Sequence, residues 1–314
     1  MPKKKTVNSV VHSLFPLKND FVFKLVFGDK RRVDLLTAFL KSVLDIPADE
    51  YKRVDIIDSN VKKEYRKDKA GILDVKIQTK SGRIVDVEIQ VEPEIPLIKR
   101  LLFYQSKMIT EQIGEGNDYG VIKPVINIVI TDFTVIHNSP VYHHRFRLYD
   151  AANKVELTDM KEIHILELTK LPKKSDMTEL FDWLMLIKAQ NGEEYEMVAK
   201  NKPVFKKVVA VVKQLSADEQ ARAEYDKHEL WRMDYAASMR NAKKIGLRAG
   251  LQQGLQRGLQ RGIEKGLQQG IEEGMKKGIA EGLAAVARKM KQHGDTVQNI
   301  AAMTGLTEQE IEKL

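Results

Sequence analysis

Asp74, Glu88 and Gln90 are the residues of this chain whose types and spacing fit chemistry best. Thirteen residues separate the two acids, and Gln90 follows Glu88 after one apolar residue, Ile89. Two hard carboxylates, with a backbone carbonyl and waters, form an oxygen site suited to Mg²⁺ or Mn²⁺. A cation held there lowers the pKa of a bound water and neutralises charge developing on a scissile phosphate. Carboxylates on an exposed hairpin are more often solvated than catalytic, so the pair needs a structural reason to meet.

That reason is a β-hairpin spanning Ile72 to Val91. Ile72 to Thr79 and Arg83 to Val91 both alternate polar and apolar residues, the pattern of half-buried strands. Leu73, Val75 and Ile77 share one face of the first strand, and Val85, Val87, Ile89 and Val91 share one face of the second. Lys80-Ser81-Gly82 is a three-residue connection with glycine at the left-handed position. It pairs Thr79 with Arg83, hence Lys76 with Asp86 and Asp74 with Glu88. A two-residue loop would set Asp74 opposite apolar Ile89 and split the faces. The expected register brings two carboxylates about 5 Å apart at Cβ, tolerable if a cation lies between them.

With 314 residues and 43% hydrophobic content, the chain can form one large domain with an appendage, or two domains. Its 52 basic and 44 acidic residues give a net charge of +8, which favours a polyanionic partner. The absence of cysteine excludes disulfides, thiolate metal sites and a cysteine nucleophile. No apolar run approaches a membrane span, and the Met1-Pro-Lys-Lys-Lys start lacks a signal-peptide core, so a cytoplasmic location is expected.

Along the chain, a short helix is expected over Asp20 to Gly28, with Asp20 as its N-cap, and a second from Lys30 to about Leu44 capped by Asp29. The charged stretch Lys62 to Lys69 leads into the hairpin and could touch a nucleic-acid backbone or simply be solvated. An amphipathic helix follows from Leu97 to about Ile113. Val125 to Ile130 is nearly unbroken apolar sequence and reads as a strand covered on both faces. His143 to Tyr149 and Ile163 to Leu168 are further strands. His137, His143 and His144 suggest zinc, but His143 and His144 must point to opposite faces of such a strand and cannot converge on one ion, so zinc is not expected. Helices are expected over Met177 to Gln190, Pro203 to Leu215, and from Ala217 onward. The order implies a mixed α/β core with a long helical C-terminal extension.

Ten glycines recur at every fourth position from Gly246 to Gly282, each followed by Leu, Ile or Met. Each glycine costs a helix about 1 kcal/mol against alanine, so ten cost on the order of 10 kcal/mol. Close packing against a partner could offset that, so residues 246–283 are expected to pair copies of the chain, most simply as a dimer. A period of four exceeds 3.6 and favours a right-handed wrap. The alternative is a slippage-generated repeat that is mostly disordered in solution. Thr296 to Met303, Gly305 and the capping box Thr307 to Glu310 then suggest a small helical hairpin. The expected division is a core over 1–175, a helical region over 176–245, the repeat helix over 246–283, and the hairpin over 284–314.

Lys18-x-Asp20-x-x-Phe23-Lys24-x-x-Phe27-Gly28, the hairpin with Asp74, Glu88-x-Gln90, and a helix bearing Arg100 and Tyr104 together resemble the recombination-promoting nuclease/transposase family of the PD-(D/E)XK nuclease superfamily. The glycine repeat and the Thr304-Gly305-Leu306 tail are also similar to that family. The resemblance implies a restriction-endonuclease-like core, with a mixed sheet flanked by helices, and Mg²⁺-dependent cleavage of DNA. It implies Asp74 and Glu88 as metal ligands and Asp20 as the acid of the first helix. Gln90 stands where the superfamily usually has lysine, and glutamine can only hydrogen-bond where lysine offsets charge. Lys76 could supply the missing charge, or bridge to Asp86 across the strands. Lys24, Arg100 and Tyr104 are auxiliary candidates, each with an ordinary solvent-facing or core role as its alternative.

Overall fold

A computed structural model describes residues 13–57, 75–93 and 96–314. Asp74 and the basic run Lys62 to Lys69 lie outside the described residues. The contacts divide the chain into two units between Leu230 and Trp231.

The first unit is an α/β layer structure of the restriction-endonuclease-like kind. Its sheet comprises β1 (Val54–Ile56), β2 (Val75–Thr79), β3 (Ile84–Gln90), β4 (Val125–Thr131), β5 (His143–Asp150) and β6 (Val155–Glu167). Their spatial order is β1-β2-β3-β4-β6-β5. β3, β4 and β6 run parallel to one another, while the outer pairs are antiparallel.

One face carries α1 (Asp20–Phe27), α2 (Val33–Val43), α4 (Glu179–Lys188), α5 (Gly192–Ala199) and α6 (Pro203–Ala217). Their apolar stripes meet Val75, Ile77, Val85, Val87, Ile89, Ile126, Ile128 and Ile130 in one buried core. Trp183 knits three helices together, its ring 4.6 Å from Phe205 and 5.8 Å from Phe39 in edge contacts. The other face is covered by α3 (Leu97–Thr110), whose Leu97, Leu101 and Met108 pack on Val129, Val125 and Ile84.

This layering answers the hairpin expectation directly. The pairs Lys76↔Asp86 and Ile77↔Val85, with Thr79 N–H bonded to Arg83 C=O at 2.9 Å, are those expected of a three-residue loop. Gly82 holds a φ of +92°, which a side chain would strain. The expectation of half-buried strands needs correction. Lys76, Asp86 and Glu88 are all buried, because β3 is central and α3 lies over its polar face. β4 is buried at every residue, as an unbroken apolar run in a parallel sheet should be.

Other boundaries shift for local reasons. Asn19, not Asp20, caps α1, its side chain accepting from Val22 N–H at 3.2 Å. Asp29 caps a single 3-10 turn over Lys30–Arg32 that precedes α2. β1 and α5 had no counterpart among the expected elements, since a three-residue strand and a polar two-turn helix leave little periodic signal.

α7 comprises Glu219–His293. From Gly246 to Gly282 a Cβ added at any glycine would meet nothing within 4 Å. The following apolar residues from Leu247 to Ile279 are 53 to 75% exposed. In the second unit α8 (Val297–Thr304) and α9 (Glu308–Glu312) close a small cluster of Ala287, Ile300 and Ile311. Gly305 ends α8 at φ +72°, and Thr307 with Glu310 forms the expected capping box.

Candidate active site

Parallel strands gather sites beyond their carboxyl ends, where loops diverge and backbone groups are released from the ladder. Here β3 and β4 end together, Gln90 paired with Thr131. The strand alternation puts Ile84, Asp86, Glu88 and Gln90 toward α3 and Val85, Val87 and Ile89 toward the main core.

Glu88 is 5% exposed and sits near the end of β3. A buried carboxylate is costly unless a cation answers it, and Arg100 of α3 does so, Nη2 to Oε2 at 3.3 Å. Arg100 therefore does face the candidate site. Tyr104, one turn on, instead packs with Ile84, Met108 and Val125, the core role that was its alternative. Asp86 is fully buried and accepts from Asn127 Nδ2 of β4 at 2.9 Å. Lys76, paired with Asp86 in register, sets its ammonium 4.0 Å from Glu111 just past α3. Gln90 is half-buried, and its backbone carbonyl accepts the Asp132 N–H at 3.0 Å.

Asp20 opens α1, in the layer opposite α3. One carboxylate oxygen accepts the Phe21 N–H at 2.9 Å and the other lies 3.8 Å from His228 Nε2. Lys24, one turn later, is exposed. The N-terminal end of α1 reaches the ends of β3 and β4, because Lys18 Nζ contacts Asp132 Oδ2 at 2.6 Å.

Asp132 was not singled out from the sequence. It is the first charged residue after the apolar run 125–131, and its place at the carboxyl end of a buried parallel strand is the available signal. Lys18 was legible only as part of a motif.

The donors that the sequence assigns to a metal are carboxylate oxygens, the right class for a hard divalent cation. Among the described residues no three histidine or acidic side chains are arranged to hold a metal ion, and Asp74 lies outside them. The Glu88 carboxylate, buried and already drawing a guanidinium, shows that this position calls for positive charge.

The histidines of the sheet have other partners. His143 Nε2 lies 2.8 Å from His164 Nδ1 on one face of the sheet, while His144 Nδ1 lies 3.5 Å from Glu167. His164, Arg145 and Arg147 converge on Glu162 instead, at 2.5 to 2.8 Å. Burial alone would raise the Glu162 carboxyl, but these hydrogen bonds outweigh it and hold it at about 2.

No helix among the described residues is long and apolar enough to cross a membrane. Neither a curated protein nor a solved structure matches the chain. One family model does, that of the PD-(D/E)XK nuclease family transposase, over residues 17–242. The matched span takes in the Lys18 to Gly28 motif, both hairpin strands, α3 and the helices of the main core. With well over half its length matched and the expected mixed sheet in place, the chain belongs to the PD-(D/E)XK nuclease family transposases.

Proposed function

We propose that the chain is a Mg²⁺-dependent DNA endonuclease that promotes recombination or DNA mobilisation by hydrolysing phosphodiester bonds. The observation that carries this reading is the buried Glu88 carboxylate on a hairpin whose register is fixed by Lys76↔Asp86. Extended to Asp74, that register would set Asp74 opposite Glu88, and the two would hold Mg²⁺ or Mn²⁺. The ion would supply an activated water and offset charge on the scissile phosphate. Gln90 would orient the attacking water by hydrogen bonding, and Asp20 would assist from the first helix. The net charge of +8 suits a polyanionic substrate. Mg²⁺-dependent nicking of a supercoiled plasmid, abolished in Asp74→Ala, tests this reading.

Gln90 in place of lysine favours a second reading, a DNA-binding or toxin-like, transposase-related protein with a weakened nuclease core. DNA binding unchanged in chelator, with no divalent-ion binding, would select it.

In either case residues 246–283 would join two copies of the chain. The support is the exposed apolar row of α7, from Leu247 to Ile279, beside glycines that leave room for close approach.

A further inference from the structure

If Glu88 and Asp74 hold the metal, Gln90 brings no ammonium to meet charge building up on the phosphate. Among the described residues four cations are candidates for that place, and their partners separate them. Arg100 is drawn to Glu88 itself. Lys76 has a side chain only 9% exposed and is directed at Glu111. Lys24 is exposed on α1, six residues beyond Lys18.

Lys18 differs from all three. Its side chain is 20% exposed, so it is reachable, and it is held at the carboxyl ends of β3 and β4 by Asp132 at 2.6 Å. Asp132 is in turn tied to Gln90, its N–H donating to the Gln90 carbonyl at 3.0 Å. The backbone beneath Lys18 is fixed on both sides. Leu17 N–H donates to the Tyr195 hydroxyl at 2.7 Å, and the Asn19 side chain caps α1 and donates to Glu229 at 2.7 Å. An ammonium on a pinned base, held by one carboxylate and partly open to solvent, is arranged to meet an incoming anion.

Resting on the nuclease reading, we propose that Lys18 contacts the scissile phosphodiester of bound DNA and supplies the charge that Gln90 does not, with Asp132 as its positioning residue. The lysine swings between a carboxylate and a phosphate oxygen and makes no covalent bond, so it acts by charge alone.

The test is single-turnover plasmid nicking by the full chain in saturating Mg²⁺, comparing wild type with Lys18→Ala, Lys18→Arg and Asp132→Asn. Thermal unfolding, Mg²⁺ titration and DNA affinity accompany each variant. Lys18→Ala is expected to slow nicking by about a hundredfold while the Mg²⁺ midpoint and DNA Kd stay within about twofold. Lys18→Arg should recover at least about tenfold of that loss, and Asp132→Asn should fall between Lys18→Ala and wild type. Lys18→Ala nicking within threefold of wild type overturns the proposal. So does equal loss in Lys18→Ala and Lys18→Arg alongside a lowered Tm, the result of a purely structural bridge. Wild type that never nicks overturns the nuclease reading, and the Lys18 assignment with it.

Discussion

Arg100 on α3 places its guanidinium 3.3 Å from the Glu88 carboxylate on β3, a contact between residues twelve apart across the polar face of the sheet. It explains how a nearly buried acid is carried in a layer that also holds Ile84 and Val129. The same bond sets up a competition, since a cation bound at Glu88 must share that carboxylate with the guanidinium.

Arg100→Met removes the guanidinium but keeps most of the packing stem. It is expected to lower stability by about 1–3 kcal/mol in chelator, the cost of leaving a buried acceptor under-compensated. Mg²⁺ should then raise Tm more in the variant than in wild type, because the ion no longer competes. Equal Mg²⁺ shifts in thermal unfolding would contradict the proposed metal role of Glu88.

Gln90→Ala should retain Mg²⁺ binding and fold, while nicking slows by roughly 10²-fold, the scale of losing one positioned hydrogen-bonding group. A rate unchanged from wild type would remove Gln90 from the reaction.

The histidine cluster sets a pH dependence of stability that is separate from catalysis. Burial, then the neighbouring His164 and Arg145 charges, pushes His143 down from 6.5 to about 4. The fold therefore binds fewer protons than the unfolded chain between those values, and stability falls as pH drops from about 6.5 to about 4. Glu162, held at about 2 rather than 4.5, adds stability above 4.5 that is lost between about 4.5 and about 2. In His143→Gln the decline in Tm from pH 7 to pH 5 should shrink by on the order of 3 °C. An identical slope in the variant would rule out His143 as its source.

The glycine row predicts an assembly defect without a folding defect in the first unit. Replacing Leu255, Leu259 and Ile263 together by glutamate should convert a dimer to a monomer by light scattering. The three side chains are 62 to 75% exposed, so the substitution leaves the packing of the described residues intact. An unchanged mass would exclude this stripe as the contact between copies.

The hairpin register and its turn were legible because alternation, loop length and the glycine at 82 all specify one pairing. Central placement of β4 followed from its unbroken apolar run. Burial of the polar hairpin face was not legible, because nothing local to residues 75–90 announces that α3 will lie over it. Lys18 with Asp132 was hidden for a related reason: the partners are 114 positions apart and meet only once the sheet brings β4 beside β3. Arg100 could be chosen from the motif, but only the layering separates it from Tyr104, which turns into the core one turn later.

In the proposed reaction, Asp74 and Glu88 of one hairpin grip a divalent ion that cuts DNA. Plasmid nicking in Mg²⁺ by wild type and by Asp74→Ala, with both Tm values measured, tests it most directly. Wild type should cleave, and the variant should lose at least about a hundredfold in rate at a closely similar Tm. Undiminished Mg²⁺-dependent nicking by a folded Asp74→Ala protein would contradict it.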